Sequence, residues 1–252
     1  MTPTAQLIHG DCIDVLPTLV AKNAQCQMAF CDLPYGVLKW ISWDAEPFPL
    51  SLLWPLLRST LIKSGVSVFT ANMLFAAKLV ASNPRCFKYD LVFQKKYPSN
   101  FLLAKQRPIH YHENVLVFYE GCPTYNPQML DERIDVGKTR NVAGQQCMYG
   151  VTTTISSRSG KLYPRSVIAH CDDRSRHHHY HPSQKPIALL RYLIRTYSNP
   201  GDTILDPTCG SATTIVAALL EGRHSIGIEK DATIFANAQE RVLAVQRSLR
   251  RK

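Results

Sequence analysis

The chain has 252 residues, about 45% of them hydrophobic, which suits one large α/β domain or two small ones and excludes a chain disordered throughout. No stretch approaches the ~18–20 unbroken apolar residues of a membrane helix, and the opening MTPTAQLIHGD has no charged n-region or apolar h-region, so a soluble, unexported, cytoplasmic protein is expected. Lys and Arg number 29 against 19 Asp and Glu, a formal charge of +10, which favours a polyanionic partner.

In chain order, an apolar run at 24–30 stops abruptly at Cys31-Asp32-Leu33-Pro34-Tyr35-Gly36, the pattern of a buried strand emptying into a loop. Residues 51–62 are mostly apolar and of helical length despite Pro55, and 65–70 (GVSVFT) is β-branched and strand-like. Two further strands are predicted at 88–94 (KYDLVFQ) and 114–119 (NVLVFY). Residues 121–180 are rich in Gly, Ser, Thr, Asn and Arg with few periodic apolar positions. They read as an insertion between a half covering 1–120 and a half covering 181–252. A helix is predicted from Pro186 to Tyr197, with Pro186 suited to its first turn. A strand at 203–205, a helix at 211–221, a strand at 225–228 and a helix from Asp231 follow. This alternation predicts a doubly wound, mostly parallel sheet with crossover helices.

Two loops at strand ends carry chemistry. The first, Asp206-Pro207-Thr208-Cys209-Gly210-Ser211-Ala212-Thr213-Thr214, puts an acid and small residues between strand and helix, where doubly wound sheets bind ligands. Glu229 ends the next strand about twenty residues on, a position from which a carboxylate reaches ribose hydroxyls. The loop lacks the Gly-Lys-Ser/Thr of a phosphate loop and Asp206 repels anions, so a nucleoside bearing a positive charge fits better; an ordinary strand–turn–helix is the plainer alternative. The second loop, Asp32-Leu33-Pro34-Tyr35, suits an exocyclic amine of a base. Asp32 can accept one N–H and the Leu33 carbonyl the other. Pro34 biases Leu33 towards an extended backbone, and Tyr35 offers a stacking face. By itself this tetrad also reads as a plain turn.

Together the two loops resemble those of the amino-directed DNA methyltransferases, which methylate adenine N6 or cytosine N4 from S-adenosylmethionine. Asp32 to Tyr35 matches their Asp/Asn/Ser-Pro-Pro-Tyr/Phe tetrad except at Leu33. Asp206, Gly210, Ser211, Thr213 and Thr214 match their cofactor loop, with Ala212 standing where the family has glycine. The tetrad precedes the loop, as in the β-class. His9-Gly10-Asp11-Cys12 resembles the family's Gly-Asp-Cys, and His181-Pro182-Ser183-Gln184-Lys185-Pro186 its His-Pro-Thr-Gln-Lys-Pro. Ala104-Lys105, His112-Glu113-Asn114 and Thr124 to Gln128 resemble small phage and prophage members.

The resemblance implies a seven-stranded Rossmann-like methyltransferase sheet with residues 121–180 as target-recognition insertion. It implies S-adenosylmethionine held by Asp11, Cys12, Lys185, Asp206, Pro207, Gly210, Ser211, Thr213, Thr214 and Glu229. It implies a flipped base, adenine favoured over cytosine, held by Asp32, Leu33, Pro34 and Tyr35. The implied partner is double-stranded DNA, a homodimer is left open, and the implied setting is a bacterial or phage-infected cytoplasm.

Six basic residues against one acid lie between Arg85 and His112, interleaved with Phe87, Tyr89, Phe93, Tyr97 and Phe101. Beside a base-modifying tetrad these are expected to track phosphates, although a solvated hairpin edge has the same look. Lys95, Lys96, Lys105 and Arg107 are the candidates here, and Arg140, Arg158 and Arg165 in the insertion. Eight scattered cysteines are expected as reduced thiols, and no paired Cys/His spacing supports zinc, so Arg174, Arg176 and His177 to His179 read as a polar loop. A methyl donor of this kind needs no metal, and no Pro-Cys dipeptide of a ring-carbon methyltransferase occurs. An inactive DNA-binding module of the same fold, or an enzyme acting on RNA or free nucleotides, are the rivals.

Overall fold

Alternation along three neighbouring strands shows why the sheet is covered on both sides. The computed structural model describes residues 2–36, 48–99, 101–131, 161–169 and 184–250. In β2 (Cys26–Cys31), β3 (Leu61–Ala71) and β5 (His110–Tyr119), Ala29, Cys31, Phe69, Ala71, Leu116 and Phe118 point to one face. There they pack with α1 (Cys12–Ala21), α2 (Leu50–Thr60) and α3 (Met73–Ser82). Met28, Phe30, Val66, Val68, Val115 and Val117 point to the other face, against α4 (Ile187–Tyr197) and α5 (Thr213–Leu220). Burial on both faces turns these strands into near-continuous apolar runs, the signal legible in the sequence.

The remaining elements are β1 (Ala5–His9), β4 (Phe87–Ser99), β6 (Leu130–Asp131), β7 (Lys161–Leu162), β8 (Val167–Ile168), β9 (Thr203–Asp206), β10 (His224–Glu229) and α6 (Ala232–Arg250). The main sheet has the order β1-β10-β9-β2-β3-β5-β4-β8. Its first five strands are mutually parallel, β5 is antiparallel to both neighbours, and β8 runs parallel to β4. The mostly parallel, doubly wound expectation holds. The expected seven strands become eight among the described residues, because Val167 and Ile168 pair with Val92 and Phe93 at the edge. A two-residue strand carries no periodicity to read.

The expected helix at 51–62 stops at Thr60, and β3 starts at once with Leu61 in extended backbone. The helix expected from Ser211 starts at Thr213, because Gly210 and Ala212 take left-handed φ of 51° and 60° in the preceding turn. Strand β1 and helices α1 and α3 lie where no element is predicted from sequence. The two helices are capped by short polar side chains: Asp11 accepts from the Ile13 N–H and Asn72 from the Phe75 N–H, both at 2.9 Å.

The chain divides into two compact units, Met1–Asn126 with Ser166–Lys252, and Pro127–Arg165. Within the second, β6 pairs antiparallel with β7. The flanks of the 121–180 stretch belong to the first unit: Asn126 donates to the Arg195 and Ser198 carbonyls, and β8 lies in the main sheet. The six described cysteines are free thiols. No described helix is long and apolar enough to cross a membrane.

Candidate active site

Strands β9 and β2 are parallel neighbours, and their connections leave in opposite directions, β9 to β10 and β2 to β3. Such a reversal opens a crevice at the strands' carboxyl ends. Asp206 ends β9 and Asp32 follows β2, so both acids emerge at this crevice. The Thr208 hydroxyl donates to the Asp32 carbonyl at 3.2 Å and ties the two loops together.

The Asp32 carboxylate is held from three directions. Oδ1 accepts from the Thr70 hydroxyl at 2.5 Å and from the Tyr35 hydroxyl at 3.0 Å. Oδ2 accepts from Lys185 Nζ at 2.8 Å. Thr70 arrives through sheet register: Cys31 pairs with Phe69, so the next residue on each strand lies alongside. Tyr35 stacks on Phe75 with ring centroids 5.2 Å apart, and Lys185 Nζ lies 5.8 Å from the Tyr35 centroid. Leu33 is buried among the residues of the α1–α3 face, which anchors the backbone between the acid and Pro34.

Behind this cluster lies a relay of opposite charges. Lys185 Nζ is 3.4 Å from Glu113 Oε2, an ion-pair distance without hydrogen-bond geometry, and Lys95 Nζ is 3.5 Å from Glu113 Oε1. Burial opposes the Lys185 charge, but Asp32, Tyr35 and Glu113 more than offset it and hold the ammonium above its ordinary range. Burial and the neighbouring Asp32 likewise push the Tyr35 phenol well up, so it stays a donor.

From Asp32 a cavity of about 910 Å³ runs along the carboxyl ends of the parallel strands. All ten residues expected at the cofactor line it: Asp11 and Cys12 after β1, Lys185 before α4, Asp206, Pro207, Gly210, Ser211, Thr213 and Thr214 around the β9–α5 turn, and Glu229 at the end of β10. Asp32 and Pro34 join them, while Leu33 and Tyr35 are not among the lining residues. Lys185, expected at the cofactor, has its ammonium on Asp32 and Glu113.

Three strand ends are latched together here. Glu229 Oε2 accepts from the Gly210 N–H at 2.9 Å, Oε1 from the Asp231 N–H at 2.8 Å, and the Glu229 carbonyl from the Gly10 N–H at 2.9 Å. Arg241 of α6 donates to the Ser211 carbonyl at 2.7 Å and the Thr213 hydroxyl at 2.9 Å. Burial pushes the Asp206 carboxyl up to about 7, against hydrogen bonds from Thr214 and the Thr208 N–H, with Asp32 and Glu229 adding to the rise. Burial also works to raise Asp11, but the Lys230 ammonium at 2.9 Å and the Ile13 N–H bring it below its ordinary value. Burial and Asp11 take the Cys12 thiol up to about 12, leaving it an inert wall of the cavity.

Of the residues expected on phosphates, Lys96, Lys105, Arg107 and Arg165 are exposed. Lys95 is a correction: its side chain is only 19% exposed and turns inward, because Glu113 on the paired strand draws its charge. Arg140 and Arg158 lie outside the described residues, as do His181 to Ser183 and the Arg174–His179 tract. Thr70, Thr208, Lys230 and Arg241 were not singled out from sequence. Thr70 carries no local signal at all, since only strand register brings it to Asp32.

Known proteins similar to this chain point to one family. A family model described as DNA methylase matches residues 27–240. The DNA adenine methyltransferase YhdJ of Escherichia coli strain K12 is 57% identical over 236 residues, 88% of this chain and 77% of that protein. A shorter match, 43% over 70 residues, links the chain to the methylase YubD of the same strain; it takes in 28% of this chain and 31% of YubD. The crystal structure of the M1.HpyAVI–SAM complex shares the fold, with a TM-score of 0.66 at 20% identity over 95% of this chain and 99% of that one. The matched span includes the Asp32 tetrad, the Gly210 loop and Glu229, and with it the chain belongs to the N6/N4 DNA methylase family.

Proposed function

We propose that the chain transfers a methyl group from S-adenosylmethionine to the N6 amine of an adenine turned out of duplex DNA. The observation that carries this reading is the Asp32 carboxylate, fixed by Thr70, Tyr35 and Lys185 at the mouth of an acid-lined cavity. A carboxylate offers about four lone-pair sites. Among the described residues Thr70 and Tyr35 take those of Oδ1 and Lys185 takes one on Oδ2, which leaves the remaining site on Oδ2 for a substrate N–H.

The cavity suits the cofactor. Asp11, Asp206 and Glu229 line it with acid, which favours a ligand carrying an ammonium and a sulfonium. The left-handed Gly210 lets backbone approach it closely. Glu229 and Asp11 would hold the nucleoside, Asp206 and the Gly210–Thr214 turn the charged end. When bound, the cofactor supplies an electrophilic methyl group on a cationic sulfur.

The chain's own residues then orient and polarise the amine. Asp32 Oδ2 accepts one N–H and the Leu33 carbonyl the other, which turns the nitrogen lone pair towards the cavity. As the new N–C bond replaces the methyl–sulfur bond and a neutral thioether is left, one amine N–H becomes acidic and Asp32 Oδ2 is placed to take that proton and pass it to water. Lys185 and the Tyr35 hydroxyl keep the carboxylate from rotating. A base stacking here meets a Tyr35 ring already fixed by Phe75 and Asp32. Preorganised polar groups of this kind act in the transition state without reorganising.

The name of the relative at 57% identity favours adenine, as does the carboxylate at Asp32, a stronger acceptor than a hydroxyl for polarising an amine. The +10 charge favours DNA as the substrate. Genomic DNA incubated with the protein and S-adenosylmethionine, digested to nucleosides and analysed by mass spectrometry, should yield N6-methyladenine. N4-methylcytosine would overturn the choice of base, and label transfer to RNA but not DNA would overturn the substrate.

A further inference from the structure

We infer that the tip of the β4–β5 hairpin is a base-extrusion wedge whose inserting side chain is Leu102. The inference rests on the reading of the chain as a DNA-modifying enzyme. In the sheet, Asn114 of β5 pairs with Ala71, the last residue of β3. Residues 110–113 therefore run past the carboxyl edge of the parallel strands, the edge on which Asp32, Asp206 and Glu229 lie. Glu113 is still at the catalytic cluster, 3.4 Å from the Lys185 ammonium that holds Asp32. Three more residues to His110 carry the hairpin roughly 10 Å further out, and the tip follows with a 3-10 turn at Phe101–Leu103. The Gln106 and Arg107 N–H groups both donate to the Leu103 carbonyl, at 2.9 and 3.0 Å, so the turn is braced.

At the head of this turn Leu102 is 83% exposed, the highest value among the described large hydrophobic residues. An apolar side chain so placed buries little within its own fold. Its neighbours on the tip are of one sign: Lys96, Lys105 and Arg107 are exposed, and no acid occurs from Lys95 to His112. Tyr97 and Tyr111 also stand out from the hairpin, 56% and 44% exposed. An apolar point ringed by cations is complementary to a duplex, with the cations on phosphates and the point between base steps. A base must leave its stack before Asp32 can reach the amine, and the void it leaves must be filled or closed. The hairpin starts beside the Lys185 ammonium that holds Asp32 and reaches outward with a side chain able to do so.

The test compares the wild type with Leu102→Ala on two duplexes carrying the methylated site, one with the target adenine paired and one with it opposite an abasic position. The expected result is a fall of at least tenfold in single-turnover methylation on the paired duplex and less than twofold on the abasic one, with an unchanged thermal midpoint. In parallel, 2-aminopurine at the target should brighten on binding the wild type and stay dim with Leu102→Ala. Equal losses on both duplexes, or no loss on either, would overturn the wedge. So would a change in sedimentation with the paired-duplex rate retained, which would make the tip a contact between copies. The fluorescence arm reads extrusion without methyl transfer, so an inactive wild type that still brightens 2-aminopurine sinks the proposed reaction and leaves the wedge standing.

Discussion

Asp32, Thr70, Asp206 and Ala212 each carry a distinct physical consequence. Asp32→Ala removes the acceptor proposed for the amine and leaves Asp11 and Glu229 untouched, so methyl transfer should vanish while cofactor affinity by titration calorimetry changes little. Thr70→Val deletes one hydrogen bond to the same carboxylate, on the order of 1–2 kcal/mol, so the turnover rate should fall about five- to thirtyfold with the cofactor KM unmoved. Comparable losses of cofactor binding in both variants would refute that division. Burial lifts the Asp206 pKa to about 7, far above an unfolded carboxyl near 3.9. The native state therefore holds this proton more tightly. The stabilisation is complete below about pH 4 and is lost as pH rises through about 7, on the order of 2–4 kcal/mol in all. Asp206→Asn should flatten that fall in denaturant titrations between pH 4 and 8. A bound cation favours the ionised carboxyl, so cofactor binding near pH 6–7 should release part of a proton, measurable as a buffer-dependent heat in the wild type and absent in Asp206→Asn.

Ala212 shows a residue at odds with its backbone. Its φ of 60° costs a non-glycine residue about 1–2 kcal/mol, yet its methyl is fully buried against the α5–α6 packing, which returns about 0.8 kcal/mol. Ala212→Gly should accordingly leave stability within about 1 kcal/mol of the wild type in chemical denaturation. The geometry explains why glycine is expected there.

Among the elements, β10 depends on Gly227. A Cβ at this position would lie 2.8 Å from Leu7 Cδ2, 2.9 Å from Ile215 Cδ1 and 3.0 Å from Cys209 Sγ. Gly227 thus lets α5 and the Cys209–Gly210 turn close down on the sheet, which is what brings the Gly210 N–H to Glu229. Gly227→Ala should cost about 1–3 kcal/mol by overpacking and should weaken cofactor binding by moving the turn. Loss of stability with unaltered affinity would show that the turn is positioned independently. The hairpin β4–β5 is the opposite case. Its strands were readable from aromatic and β-branched residues, but the inward turn of Lys95 was not, because Glu113 meets it only across the ladder.

Across the whole molecule, target selectivity is proposed to lie in the stretch rich in arginine and small polar residues. Asn126 and β8 belong to the large unit, so an exchange with a relative should be confined to Pro127–Arg165. Such a chimera should keep methyl transfer and change the methylated sequence, as read by mapping modified sites. A chimera with the original site would refute the assignment.

The two loops that matter, and the sheet that carries them, are legible in the order of residues along the chain. Asp32 to Tyr35 and Asp206 to Thr214 each follow an apolar run, and local chemistry together with strand–helix alternation is enough to put both at one edge. Their surroundings, by contrast, arise only when distant segments pack together. Thr70 reaches Asp32 because two parallel strands share a register, and Lys185 reaches it from 153 residues away. The short strand β8 pairs with no periodicity to announce it. Polar contacts between distant segments depend on angle and register to within an ångström, whereas burial patterns repeat along the chain and are written into it.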